Sequence, residues 1–214
     1  RGKDSALERE LVGGKWMKAK DLHVARAPGE LPAAAAKGEK WIDVSIENQV
    51  LVLWEGKKPV YATLVSTGQD GARDPKTTKS TVQGTFRIKN KHITSTMDSN
   101  ERSGGSSGGG PSPGGGGEPG HKQPPRDKDG KQLRRGAGSF ELRDVPWVQF
   151  FEGAYALHAA YWHDVFGTAR SHGCVNLAPI DARRIFMWSD PPVPEGWHGF
   201  TSTDNKGTTV HVRY

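Results

Sequence analysis

Cysteine is almost missing from this sequence. Of 214 residues only Cys174 carries a thiol, so no disulfide can form within the chain. There is also no run of about 18 apolar residues, which excludes a membrane-spanning helix from this chain. Apolar residues are scarce overall, at 34%. One tract explains much of that: residues 104–120 hold ten glycines and three prolines. The remainder has the composition of one domain of ordinary size, with a small appendage. The chain opens on Arg1 with no signal-peptide pattern behind it. It therefore reads as a processed or trimmed product whose targeting segment is out of view. The net charge of +6 suggests acidic partners such as an anionic wall polymer or lipid. The cations are scattered, with doublets at Lys57–Lys58, Arg134–Arg135 and Arg183–Arg184. Basic patches interleaved with aromatics are absent, which argues against nucleic acid as a partner.

Residues 1–38 read as the tail of a preceding module followed by a linker, with a short strand within 16–25. The domain proper spans 39–214. Ile42, Val44 and Ile46 alternate with Asp43, Ser45 and Glu47, the period of a half-buried strand. Val50–Trp54 and Val60–Ser66 predict two further strands, separated by turn signals. The stretch 84–94 predicts a fourth, completing an antiparallel meander. Residues 99–138 show no periodicity and cannot bury enough surface to offset their ordering entropy. They read as a long Gly/Pro-rich insertion within one domain, because neither flank makes a complete core alone. Blocks of glycine lacking a following Lys-Ser or Lys-Thr do not suit a phosphate loop. Strands are then predicted at 148–151 and 154–159, a helix over 179–188 with Pro179 at its first position, and a last strand within 207–214.

The lone thiol sits in Ser-His-Gly-Cys-Val-Asn-Leu, residues 171–177. Two polar residues and a glycine do not build a core around an inert cysteine. They do suit a nucleophile. A thiol is mostly protonated at neutral pH, and a neighbouring imidazole can take its proton. His158, His163 and His172 all lie within sixteen residues of Cys174. Gly173 permits a sharp turn and lets backbone amides face a developing oxyanion. The same three histidines and Cys174 are possible zinc ligands. Their spacing matches no common zinc pattern, and structural zinc usually recruits more than one cysteine, so no metal is assigned.

Ser171-His172-Gly173-Cys174-Val175-Asn176, with His158 upstream, resembles the signature of the L,D-transpeptidase (YkuD-like) catalytic domain. The opening strands, from Ile42–Ile46 through QVLVLWEG, VYATLVSTG and GTFRI, resemble that family in order and spacing. The likeness runs over about 41–200. It implies a mostly β fold, an antiparallel sandwich or barrel with one or two short helices, and no metal or organic cofactor. It implies peptidoglycan stem peptides as partners. Cys174 would attack a stem tetrapeptide, release D-Ala and form a thioester. An amine on a second stem would take the acyl group in a 3–3 crosslink. A protein lysine as acceptor would anchor that protein to the wall. Water as acceptor would make the enzyme an L,D-carboxypeptidase, and a silent peptidoglycan-binding module is the reading from another class. Any of these places the protein in the periplasm or cell envelope.

The resemblance also assigns roles. Cys174 is the nucleophile and His158 the general base and later acid. His172 and Gly173 shape the turn, and their amides with that of Cys174 are oxyanion donors. Ser171 and Asn176 fix the loop by hydrogen bonds. Tyr155 and Trp162 are substrate-cleft candidates, or ordinary aromatic packing. His163 is read as structural or rim. The chain departs from the family pattern in three places. Thr81-Val82 stands where Thr-Pro is common. Ala159 follows the upstream histidine where some relatives carry a hydroxyl, so any third member must be a backbone carbonyl or another side chain. The insertion is unusually long.

Overall fold

The computed structural model describes residues 8–10, 16–18, 22–98, 141–204 and 206–214. The segment read as an insertion, 99–138, lies outside the described residues, as do 1–7, 11–15 and 19–21 of the segment read as a tail. Strands β1 (Glu8–Glu10) and β2 (Trp16–Lys18) pair antiparallel. The helical turn α1 (Ala33–Ala36) precedes β3 (Lys40–Ser45), β4 (Val50–Glu55), β5 (Lys58–Leu64), β6 (Gly84–Arg87) and β7 (Asn90–Asp98). Then come β8 (Glu141–Glu152), β9 (Tyr155–Ala159), β10 (Val175–Leu177), α2 (Pro179–Trp188), β11 (Gly199–Thr201) and β12 (Thr209–Arg213).

Two five-stranded sheets result, ordered β5-β4-β3-β12-β6 and β10-β9-β8-β7-β11. Pairings are antiparallel except β12 with β3 and β10 with β9, which are parallel. One core joins the sheets: Ile42, Val44, Leu51, Leu53 and Val210 from the first meet Phe151, Leu157, Ala159, Val175 and Leu177 from the second. The stretch 84–94, expected as one strand, is two. At Ile88 and Lys89 the chain crosses between sheets, Ile88 N–H bonding Thr208 and Lys89 N–H bonding Phe150. Ile88 is fully buried at the crossing, so the alternation of Phe86 and Ile88 with Arg87 and Lys89 continues although the sheet does not.

The first sheet is also covered on its outer face. Trp41 and Trp54 are cross-strand partners whose rings stack 5.2 Å apart. With Val50, Val52, Ala34 and Ala35 they form a second apolar layer, so the stretch read as linker carries a helical turn packed on the sheet. This is why Asp43 and Ser45, expected to face water, are buried. Arg213 makes the Asp43 burial tolerable, donating through Nε and Nη2 to both carboxylate oxygens at 3.0 Å. A buried carboxylate needs such a partner.

Helix α2 begins with Pro179 at its first turn and Asp181 accepting from Tyr61 and Thr63 of β5. Ala182, Ile185 and Phe186 face the core. At its other end Lys91, 1% exposed, donates to the carbonyls of Phe186 and Ser189. A cation on terminal carbonyls suits the helix dipole. Burial pushes this amine down to about 8. No helix among the described residues is long and apolar enough to cross a membrane.

Candidate active site

Strand β10 forms an edge of the second sheet and runs parallel to β9, with Val175 opposite Leu157 and Asn176 opposite His158. Side chains alternate along strands. Val175, Leu177, Leu157 and Ala159 therefore enter the core, and Ala156, His158 and Asn176 take the other face. Cys174, one residue before β10, follows the same alternation. It packs with Ala156 and Trp162 in a satellite cluster around Val145 and Val148. The topology thus puts the thiol and the upstream imidazole diagonally on one face of adjacent strands.

His158 is 3% exposed. Its Nδ1 lies 3.0 Å from the Ala159 carbonyl. A neutral ring donates there, which leaves the Nε2 lone pair as the basic site. Burial pushes the imidazole down to about 4, with the Ala159 carbonyl opposing and His163 adding to the fall. Cys174 is half-buried, and its thiol donates toward the Ala154 carbonyl at 3.6 Å. Burial pushes the thiol up to about 11, opposed by the Ala156 amide. Both shifts favour the neutral forms, so the resting pair is thiol and imidazole. Among the described residues no hydrogen bond joins them. Such bonds often tighten only when substrate arrives.

The turn before Cys174 is tightly held. Gly173 has φ +135°, and a β-carbon there would lie 2.9 Å from the Tyr155 ring. The Gly173 amide donates to Ser171 Oγ at 3.0 Å, and Ser171 Oγ donates to the Cys174 carbonyl. The Gly173 amide, expected as an oxyanion donor, is therefore already engaged. The sharp turn brings the Ser171 hydroxyl back over it. Thr81 Oγ1 accepts from Gly68 N–H at 2.9 Å and donates to the Gly173 carbonyl at 2.7 Å. Backbone bridges Ser66–Asn176 and Gly68–Ser171 bind the same loop to the turn. His172 is half-buried within it.

Two rings flank the thiol. Tyr155 lies against Gly173 and donates to the Pro75 carbonyl at 3.3 Å. Burial raises its phenol, helped by the nearby Cys174 and Asp74. Trp162 stands 5.7 Å from the His158 ring. His163, read as structural or rim, is tied to the site: Asn176 Nδ2 lies 3.2 Å from its Nε2, so the amide donates to the ring. Sequence reasoning missed this link and that of Thr81. His163 gave a spacing signal only, and Thr81 stands 92 residues from its partner Gly173. Two surface cavities, of about 420 Å³ beside Arg87 and Asp190 and about 300 Å³ beside Trp54 and Tyr61, include neither Cys174 nor His158. The chemistry, not the cavities, marks the site. Among the described residues no group of three His, Cys, Asp or Glu side chains converges as a metal site requires.

A two-sheet, mostly β domain with a cysteine turn beside a buried histidine defines the class. The L,D-transpeptidase catalytic domain family matches residues 39–212, and the chain belongs to that family. Solved structures share the fold. An L,D-transpeptidase from Mycobacterium smegmatis is similar at TM-score 0.51 and 17% identity, covering 82% of this chain and 58% of that one. L,D-transpeptidase 3 from Mycobacterium tuberculosis gives TM-score 0.50 and 16% identity, covering 82% of this chain and 61% of that one. The chain thus spans about three-fifths of the length of those neighbours. Comparison with curated proteins gives no significant match.

Proposed function

We propose that this domain is a cysteine acyltransferase acting on peptidoglycan stem tetrapeptides in the cell envelope. The observation that supports it best is the shared face of β9 and β10, which carries Cys174 beside His158 with Nδ1 already bound to Ala159. Cys174 Sγ attacks the carbonyl of the third stem residue while His158 Nε2 takes the thiol proton. The C–N bond to D-Ala then breaks. His158 returns the proton to the leaving amine, and a thioester remains on Sγ. An amine acceptor attacks that thioester, passes its proton through His158, and frees the thiol with a new amide bond. The acceptor is a second stem or a lysine of a protein destined for the wall. Burial of both groups as neutral species means that charge forms only with the transition state, where a preorganised site can stabilise it.

Ser171 and Gly173 hold the turn, Asn176 orients His163, and Tyr155 and Trp162 border the ground where a stem peptide would lie. The chemistry needs no metal or organic cofactor. Release of D-Ala from a tetrapeptide donor, measured with the wild type, Cys174→Ala and His158→Ala, tests the proposal. Release by the wild type alone supports it. Equal release by Cys174→Ala would overturn it. Product masses then identify the acceptor: a dimer for a stem amine, a free tripeptide for water.

A further inference from the structure

We infer that Thr81 is a positioning residue: its hydroxyl aims the Cys174 amide at the oxyanion of the acylation step. The inference rests on the acyl-transfer reading above. The peptide unit between Gly173 and Cys174 links the two groups. A peptide group is planar, and in the trans form its C=O and N–H point in opposite directions. Asp190–Pro191 is the cis bond among the described residues, so the Gly173–Cys174 unit is trans. Whatever grips the Gly173 carbonyl therefore sets the direction of the Cys174 N–H. That grip is Thr81 Oγ1, at 2.7 Å.

Thr81 is itself fixed. It is 1% exposed, and its hydroxyl oxygen accepts the Gly68 N–H at 2.9 Å. One lone pair and the single proton of the hydroxyl are thus both committed, and rotation is blocked. Gly68 approaches closely enough that a β-carbon there would meet the Thr81 nitrogen at 2.6 Å and the Lys79 carbonyl at 2.2 Å. The clasp is therefore built from backbone packing, and the hydroxyl carries it across to the turn. On the other side Ser171 occupies the Gly173 amide and the Cys174 carbonyl. Of the two amides flanking the Gly173 carbon, only that of Cys174 is aimed by this clamp and not consumed by it. It lies on the nucleophilic residue itself, where an oxyanion formed by Sγ attack must sit.

Thr81→Val keeps the branched shape and removes both bonds; Thr81→Ser keeps the hydroxyl. Two reactions at Cys174 separate aim from access. Acylation by a p-nitrophenyl ester develops an oxyanion. Alkylation by iodoacetamide does not. Thr81→Val is expected to slow acylation about 10- to 100-fold, to alkylate within about twofold of wild type, and to regain acylation in Thr81→Ser. Circular dichroism confirms that each variant is folded. Unchanged acylation in Thr81→Val would overturn the inference. So would a parallel fall in both reactions, since that means the thiol itself has moved. A wild type that alkylates but does not acylate would instead overturn the acyl-transfer reading on which the inference stands.

Discussion

Replacing Gly173 with alanine probes the turn most sharply. The backbone there has φ +135°, a region that costs a side-chain-bearing residue about 1–3 kcal/mol. The new methyl would also lie 2.9 Å from Tyr155 Cε1 and 3.5 Å from the Ser80 carbonyl. The ring is the part that can give. Moving it loses its 3.3 Å bond to the Pro75 carbonyl, worth about 1 kcal/mol. Together these predict a loss of roughly 2–4 kcal/mol, and a fall in Tm of about 2–4 °C for each of them. Urea unfolding of the wild type, Gly173→Ala, Tyr155→Ala and the double variant measures both parts. Removing the ring relieves the clash but not the backbone cost, so the cycle should give a favourable coupling of about 1 kcal/mol. Gly173→Ala within about 0.5 kcal/mol of wild type, the usual effect of a harmless surface change, would mean that the turn accepts a side chain without strain.

Two further predictions concern charge. Burial raises the Cys174 thiol, so its alkylation by iodoacetamide should climb about tenfold per pH unit from pH 6 to 10 without levelling, following a thiol pushed up to about 11. A plateau below about pH 8 would mean a resting thiolate–imidazolium pair and contradict the neutral one. Arg213→Met strands the buried Asp43 carboxylate and should cost about 3 kcal/mol in urea unfolding. Asp43→Asn in the same chain should recover at least half, and no recovery would show that Arg213 acts through packing alone.

The sequence spoke most clearly where one residue type has one physical use. Pro179 and the spacing of Ala182, Ile185 and Phe186 predicted the helix over 179–188, and the structure has it at Pro179–Trp188. Alternation at Ile42, Val44 and Ile46 predicted β3, and its inward face is correct. The outer face was illegible, because Asp43 and Ser45 look solvent-facing until Arg213 and the layer of Ala34, Ala35, Trp41 and Trp54 are in place. That partner stands 170 residues away. The crossing at Ile88 was hidden for a related reason: a buried residue between two strands looks like the middle of one. At the site, Ser-His-Gly-Cys and the upstream histidine were readable because glycine, thiol and imidazole are rarely placed together for packing. The Thr81 contact was not, since a threonine before a valine resembles any strand entry. Its partner is a backbone carbonyl, which leaves no trace in the sequence.

The central claim is a covalent acyl-enzyme at Cys174. The direct measurement is the intact mass of the protein after incubation with a disaccharide-tetrapeptide, beside a Cys174→Ala control. The expected result is a gain equal to the donor less D-Ala, mapped to the peptide containing residue 174 and absent from the control. Folded protein with a free thiol that gains no mass and releases no D-Ala would contradict it. A different donor peptide would be tried next, and failure there would leave a peptidoglycan-binding module that kept the fold without the chemistry.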